Sequence, residues 1–213
     1  MLEIGTGWGA LAIRAAERGA HVVTVTLSHE QADLARERVA RAGVADRVSI
    51  RLQDYREVTG RYDAVVSVEM VEAVGEDYWP AYFRAIEDRL ASDGTAAVQS
   101  ILMSHRRLLT TRRSYGWINK HIFPGGIIPS LEAIEEVTEA HTGLRVTTVD
   151  RFGADYAETL RRWRERFLSE WTTIEDGGFD AVFRRRWEFY LAFCEAGFAG
   201  GAIDVGLIRL ERS

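Results

Sequence analysis

Along the first hundred residues, short apolar runs alternate with amphipathic stretches. Leu2-Glu3-Ile4 leads into three glycines at alternate positions, Gly5, Gly7 and Gly9, and then into an alanine-rich helical pattern from Leu11 to Arg18. A buried strand, a tight turn and a helix start account for this order. His21 to Val25 is β-branched and predicts a second strand. His29 to Ala42 predicts a helix, with Ser28 as N-cap, Gln31 completing a capping box and Gly43 as the C-terminal glycine. Val48 to Leu52 and Tyr62 to Val68 predict two more strands. Tyr78, Tyr82, Ile86 and Leu90 recur every fourth residue and predict a helix over 78–90. Ser92-Asp93-Gly94 then turns the chain into a fifth strand, Thr95 to Leu102.

From Met103 to Ser130 the alternation breaks. Arg106, Arg107, Arg112, Arg113 and Lys120 are interleaved with Tyr115, Trp117, Ile118, Ile122 and Phe123, before Pro124-Gly125-Gly126 turns the chain. An insertion covering a site is the expectation. Ser130 caps a helix to about Ala140, Leu144 to Val149 is a strand, and two aromatic, arginine-rich helices run over about 157–171 and 179–197. Ile203 to Leu210 is expected to close the sheet as its last strand. Strands separated by helices predict an α/β fold: one domain over 1–213 with a doubly wound, mostly parallel sheet, and helical cover over about 103–130 and 154–200.

Composition narrows the functional classes. A chain of 213 residues suits one domain with a sizeable core. Its single cysteine, Cys194, excludes an internal disulfide framework and a multi-thiolate metal site, and points to a reducing cytoplasm. No run of about 18 apolar residues is present, and Met1 stands directly before the first strand, so neither a membrane span nor a leader is expected. The five histidines have no ligand spacing, so no metal is expected. A net charge of -5 argues against general nucleic-acid binding. The acidic excess lies in residues 1–103, while residues 104–213 balance 16 basic against 16 acidic side chains and cluster the basic ones.

The glycine turn admits two ligands. Gly5, Gly7 and Ala10 fit the dinucleotide pattern, but that ligand needs an acid after the second strand, where Thr26-Leu27-Ser28 stand instead. The acid lies inside the first strand, at Glu3, which suits the cationic methionine end of S-adenosylmethionine (SAM). The turn, Thr26, Asp54 and Glu72 all follow predicted strands, and ligands of such sheets bind at that edge. Asp54 can accept from an adenine amino group, or serve as a turn cap. Thr26 and Gln31 can hold ribose and carboxylate oxygens, and both equally serve the helix cap. Glu72 can handle protons beside an apolar cleft, whereas Glu69 reads as a surface acid. Tyr156 offers a hydroxyl or packs in the core, and Cys194 reads as a small core hydrophobe. Arg161-Arg162-Trp163-Arg164 and Arg184-Arg185-Arg186-Trp187 are solvated helix faces or contacts for anionic phospholipid heads.

The runs LEIGTGWGALAIRAA, VTLSHEQ, RLQDY, VSVEMVEAVG, WINKHIFPGGIIPS, FGADYAETLRRWRERF and WEFYLAFCEAGF together resemble the cyclopropane-fatty-acyl-phospholipid synthase family, which includes the mycolic acid cyclopropane synthases. The resemblance spans the chain in order. It implies a seven-stranded Rossmann-like fold and a SAM-dependent C-methyltransferase acting on cis double bonds of lipid acyl chains. Glu3, Gly5, Thr6, Gly7 and Gly9 match the methionine-binding turn. Thr26, Leu27, Ser28 and Gln31 match the ribose side, and Gln53 and Asp54 the adenine pair. Glu72, Ile101 and Tyr156 match a pocket for a bicarbonate ion, the implied base, with Gln99 where some members carry histidine. Cys194 matches a residue once assigned as nucleophile, although an alkene attacking a methyl group leaves a cation that needs a base.

Two further departures are Ala73, where a histidine often stands, and the lack of a segment before the first strand that supplies part of the SAM lid and another pocket cysteine. The expectation is an N-terminally truncated member with an exposed flank on its sheet. VEMVEAVG resembles a branch making 10-methylene or 10-methyl fatty acids, so ring closure and branching both stand. The implied partners are an unsaturated phospholipid at the inner membrane surface, with the protein peripheral there, a separate reductase and a second copy of the chain, but not nucleic acid. A small-molecule or sterol methyltransferase and a non-catalytic lipid- or SAM-binding remnant are the alternatives.

Overall fold

The computed structural model describes residues 1–213. Strand β1 (Leu2–Ile4) passes through the glycine turn into α1 (Ala10–Glu17), followed by β2 (Val22–Thr26), α2 (His29–Arg41), β3 (Val48–Leu52) and β4 (Tyr62–Val68). Then come α3 (Val71–Val74), α4 (Trp79–Arg89), β5 (Leu90–Leu102), α5 (His105–Thr111), α6 (Trp117–His121) and α7 (Leu131–His141). The chain ends with β6 (Leu144–Arg151), α8 (Gly153–Ser169), α9 (Trp171–Asp176), α10 (Ala181–Ala199) and β7 (Asp204–Arg212).

All seven strands form one sheet in the order β3-β2-β1-β4-β5-β7-β6. β1 is buried throughout and pairs in parallel with β2 and β4, Leu2 lying opposite both Val23 and Val65. The strand order reverses between β1 and β4. Crossovers leave a crevice at that point, beyond the carboxyl ends of both strands.

Three expectations are corrected here. β7 does not close the sheet. It runs antiparallel between β5 and β6, and β6 takes the edge. Gly206, Ile208 and Leu210 are buried on one face of β7, while on the other Val205 packs under α8 and α10 and Leu207 and Arg209 are exposed, so its interior place is set by pairing on both edges. Ser92-Asp93-Gly94 does not precede β5 but interrupts it: Tyr62 pairs with Leu90 and Ala64 with Thr95, so the extra residues bulge out. The stripe of α4 is also displaced. Tyr78 is 56% exposed in a 3₁₀ turn, Leu90 opens β5, and Trp79, Tyr82, Phe83 and Ile86 carry the burial. Pro80 in the first turn starts the helix after Tyr78, and a straight helix buries positions three and four apart rather than every fourth.

The main core lies between the sheet and α4 and α7, around Leu2, Ile4, Trp79, Phe83, Ile86 and Ile134. A smaller cluster, Ala157, Leu160, Leu191, Phe198 and Val205, joins α8 and α10 to the far half of the sheet. The two expected cover segments meet through Trp117 on Phe189, with ring centres 4.6 Å apart, and Phe123 on Tyr190, at 5.9 Å. No helix is long and apolar enough to cross a membrane.

Gly9 illustrates how the turn serves packing. It has φ of 82°, and a Cβ there would lie 3.1 Å from the Ala35 Cβ of α2. Gly9→Ala is therefore predicted to destabilise the fold by about 1–3 kcal/mol, from backbone strain and crowding together. Urea unfolding with an unchanged midpoint would contradict this account of the α1–α2 contact.

Candidate active site

Because β1 to β4 are parallel, their carboxyl ends deliver side chains to one edge. A cleft of about 440 Å³ opens there, lined by Gly5, Thr26, Leu27, Gln31, Gln53 and Asp54, and on the opposite wall by Met70, Ala73, Val74 and Tyr78. Its volume is within the ordinary range for small-molecule sites. Gly5 has φ of 94°, and a Cβ on it would come within 2.9 Å of the Met70 side chain, so the two walls approach here only because Gly5 is bare.

The polar wall is pre-arranged by local bonds. Ser28 Oγ accepts from Gln31 N at 3.1 Å, which is one half of the expected capping box. The other half is not made. Thr26 Oγ1 instead donates to Gln31 Oε1 at 2.7 Å and accepts from Ser28 N at 3.1 Å, holding both side chains at the cleft. Gln53 Nε2 donates to the Glu57 carbonyl at 3.0 Å. Asp54 meets both of its sequence readings, since it lines the cleft and also caps the turn after β3 by accepting from Arg56 N at 2.9 Å. The Arg56 guanidinium grips the same carboxylate at 3.0 and 2.6 Å and holds its pKa below the usual range.

Glu3, Thr6, Gly7, Gly9 and Ser28 do not line this cleft. Thr6 accepts from Thr24 inside the fold at 2.7 Å. Glu3 is almost fully buried two residues before Gly5. One of its oxygens has no partner, and burial pushes its pKa up to about 7. A cationic group bound at the turn would relieve that carboxyl. The bare Gly5 backbone, the polar wall and this unpaired acid fit SAM.

A second cavity, of about 390 Å³, lies on the other side of the β4 terminus. Val68, Glu69, Gln99, Phe152, Tyr156 and Trp163 line it. Here the surface-acid reading of Glu69 fails. Glu69 is the one non-glycine residue with positive φ, 52°, and its amide is tied to the Gln99 carbonyl at 2.9 Å. Its Oε1 accepts from Tyr156 Oη at 2.5 Å and from Gln99 Nε2 at 3.0 Å. Burial raises the Tyr156 pKa, as does the negative charge of Glu69, so the phenol stays a neutral donor. An acid directly after an apolar strand was the only sequence signal for Glu69, and helix-surface acids share it.

Glu72 is held apart from Glu69. Its Oε1 accepts from the Ile101 amide at 2.5 Å and from Ser100 Oγ at 3.0 Å, its Oε2 is buried without a partner, and burial pushes its pKa up to about 7. Ile101 thus acts through its backbone. Ser100 was missed, because a serine inside an apolar strand carries no distinguishing pattern. Cys194 is half-buried beside Tyr190, with its thiol pushed up to about 11 by burial. A protonated thiol is a poor nucleophile.

The implied bicarbonate does not fit this arrangement. Tyr156 and one N–H of Gln99 bond Glu69, and Ile101 and Ser100 bond Glu72. A bicarbonate ion would stand beside two carboxyl groups with only the second Gln99 N–H of this donor set left to hold it.

A parallel sheet with one inserted antiparallel strand, a glycine turn after β1 and a polar cleft at the switch point define a protein of the SAM-methyltransferase fold. A family model described as mycolic acid cyclopropane synthetase matches residues 1–208, and the chain belongs to that family. It is 56% identical over 205 residues to tuberculostearic acid methyltransferase UfaA1 of Mycobacterium tuberculosis, covering 96% of this chain and 48% of that protein. It is 36% identical over 213 residues to cyclopropane-fatty-acyl-phospholipid synthase of Escherichia coli K12, covering 100% of this chain and 53% of that one. The crystal structure of mycolic acid cyclopropane synthase CmaA1 complexed with SAH and CTAB superposes with a TM-score of 0.88 at 27% identity, over 99% of this chain and 77% of that one. The chain spans about half the length of the curated relatives it matches.

The two raised carboxyls make stability depend on pH. Glu3 and Glu72 move from an ordinary 4.5 to about 7 on folding, so the folded state favours their protonated forms. Their stabilising contribution is complete below about pH 4.5 and is lost as pH rises to about 7. Melting temperature is predicted to carry this decline, and Glu72→Gln, always neutral, to flatten part of it. An identical pH slope in wild type and variant would show that Glu72 is not charging inside the fold.

Proposed function

We propose that this protein uses SAM to methylate a carbon–carbon double bond in the acyl chain of an unsaturated phospholipid, with Glu69 as the proton acceptor. One observation carries the reading. Consecutive residues, Glu69 and Met70, line two different cavities, so a carboxylate in the second cavity stands one residue from the cofactor cleft.

When bound, SAM supplies an electrophilic methyl group, which the alkene takes up to become a carbocation. Gly5 lets the cofactor lie against bare backbone, Thr26 and Gln31 offer polar groups to its ribose and carboxylate, and Asp54 accepts from its adenine amino group. Glu69 Oε1 is already held by Tyr156 and Gln99, leaving Oε2 to receive the proton that the cation must lose. Loss of that proton from the new methyl carbon yields either a cyclopropane or, after a hydride shift, an exocyclic methylene. In both cases the chain gains CH2 and the proton rests on Glu69. Phe152, Tyr156 and Trp163 face the cavity with aromatic groups that stabilise a cation. The 56% identity to a protein named tuberculostearic acid methyltransferase supports a branched product over a ring. A branched methylene would need a separate reductase to become a methyl group. The acyl substrate places the protein at a membrane surface.

Mass spectrometry of detergent-dispersed unsaturated phospholipid, incubated with the chain and SAM, is expected to show a gain of one CH2 per modified acyl chain. Absence of that gain would defeat the reading. Glu69→Gln should lower turnover by about 10²-fold or more, the scale of a lost general base, with SAM affinity unchanged. Undiminished turnover would remove Glu69 from the reaction. Asp54→Ala should weaken SAM binding by about 1–3 kcal/mol, and calorimetry showing equal affinity would remove Asp54 from the cofactor site.

A further inference from the structure

Helix α10 turns one stripe of side chains away from the core. Val182, Arg185, Arg186, Phe189 and Phe193 recur at three- and four-residue intervals and lie within one helical face. All five are exposed, Phe189 at 48% and Phe193 at 52%. Exposing two phenylalanines one turn apart is unfavourable in water unless something covers them. The stripe continues onto α6, where Trp117 packs edge-on to Phe189 and Lys120 stands one turn further along. Phe189 and Phe193 also stack on each other at 5.9 Å. No carboxylate lies within ion-pair distance of Lys120, Arg185 or Arg186, whereas most arginines of α8 are paired to glutamates.

We infer that this aromatic and cationic face of α6 and α10 is the surface by which the protein docks on an anionic phospholipid bilayer. The inference rests on the phospholipid reading above and adds the place of contact. Aromatic rings and arginine stems enter the interfacial layer while guanidinium and ammonium groups meet lipid phosphates. Each basic side chain near such a surface adds attraction that salt screens. A second copy of the chain is a poorer occupant, since a two-fold interface would bury the unpaired cations Lys120, Arg185 and Arg186 of both copies in one patch, and this face offers no carboxylate paired to them. The face also borders the helices that carry the reaction cavity. Exposed Phe123 packs on Tyr190, and Tyr190 packs against the same apolar cluster as Tyr156, which lines the cavity.

The test uses the full chain, sedimented with phosphatidylglycerol vesicles and, separately, with phosphatidylcholine vesicles. Binding is expected to be at least ten-fold stronger to the anionic vesicles and to weaken with salt. Phe189→Ser with Phe193→Ser, and independently Arg185→Glu with Arg186→Glu, should each reduce that binding at least ten-fold. SAM affinity by calorimetry and turnover on detergent-dispersed phospholipid should stay within two-fold of wild type. The two pairs change different chemistry on exposed positions, so misfolding of one leaves the other decisive. Wild-type binding by both pairs, no preference for anionic vesicles, or self-association abolished by the same changes would overturn the docking face. Normal turnover with unchanged vesicle binding would sink the docking face alone. Reduced vesicle binding by variants of a protein that methylates no lipid would uphold the docking face and defeat the catalytic reading.

Discussion

At the end of β4 the chain has to leave the sheet between two cavities, and it does so through a left-handed residue that is not glycine. A glutamate in that conformation is strained by about 1–3 kcal/mol and persists only where its surroundings hold it. Here a phenol from α8 and an amide from β5 both bond one oxygen of its carboxylate. The same backbone twist sends Met70 to the opposite side, against bare Gly5. The division between a cofactor cleft and an apolar reaction cavity therefore depends on three elements meeting at Glu69. Without α8, the carboxyl would keep only its β5 partner, Gln99.

Three buried or half-buried carboxyl groups surround the switch point, and their settings differ. Burial pushes Glu3 and Glu72 towards neutrality, Glu72 despite two donors on one oxygen, while half-buried Glu69 takes its donors from Tyr156 and Gln99. Environment separates acids of one type into different roles. It also explains why Cys194 is chemically quiet: an apolar setting beside Tyr190 keeps the thiol protonated. The resemblance implied a bound anion as the base, but most of the donors assigned to it are already bonded to side chains of this chain.

Much of the fold was legible because it is local. β3 and β4 have the bounds that their alternation predicts. Ser28 and Ser130 cap α2 and α7 through bonds to residues three positions on, and a cap needs nothing beyond its own turn. Errors arose where a neighbour outside the window intervened. Tyr78 fits a four-residue spacing, but Pro80 and the packing of Trp79 set where α4 begins. Gln31 fits a capping box, but Thr26 takes its carbonyl oxygen.

By itself, the sequence determined the alternation of strand and helix, the glycine turn with an acid before it, and hence a cofactor edge shared by parallel strands. Those features follow from side-chain periodicity and backbone sterics within a few residues. Only the tertiary structure decided that β7 enters the sheet between β5 and β6. It alone brought Tyr156 to Glu69 across 87 positions, and Ser100 and Ile101 to Glu72 across 28 and 29. Such contacts depend on how separate elements pack, and the spacing of residues along a chain carries no record of which carboxylate a distant hydroxyl will reach.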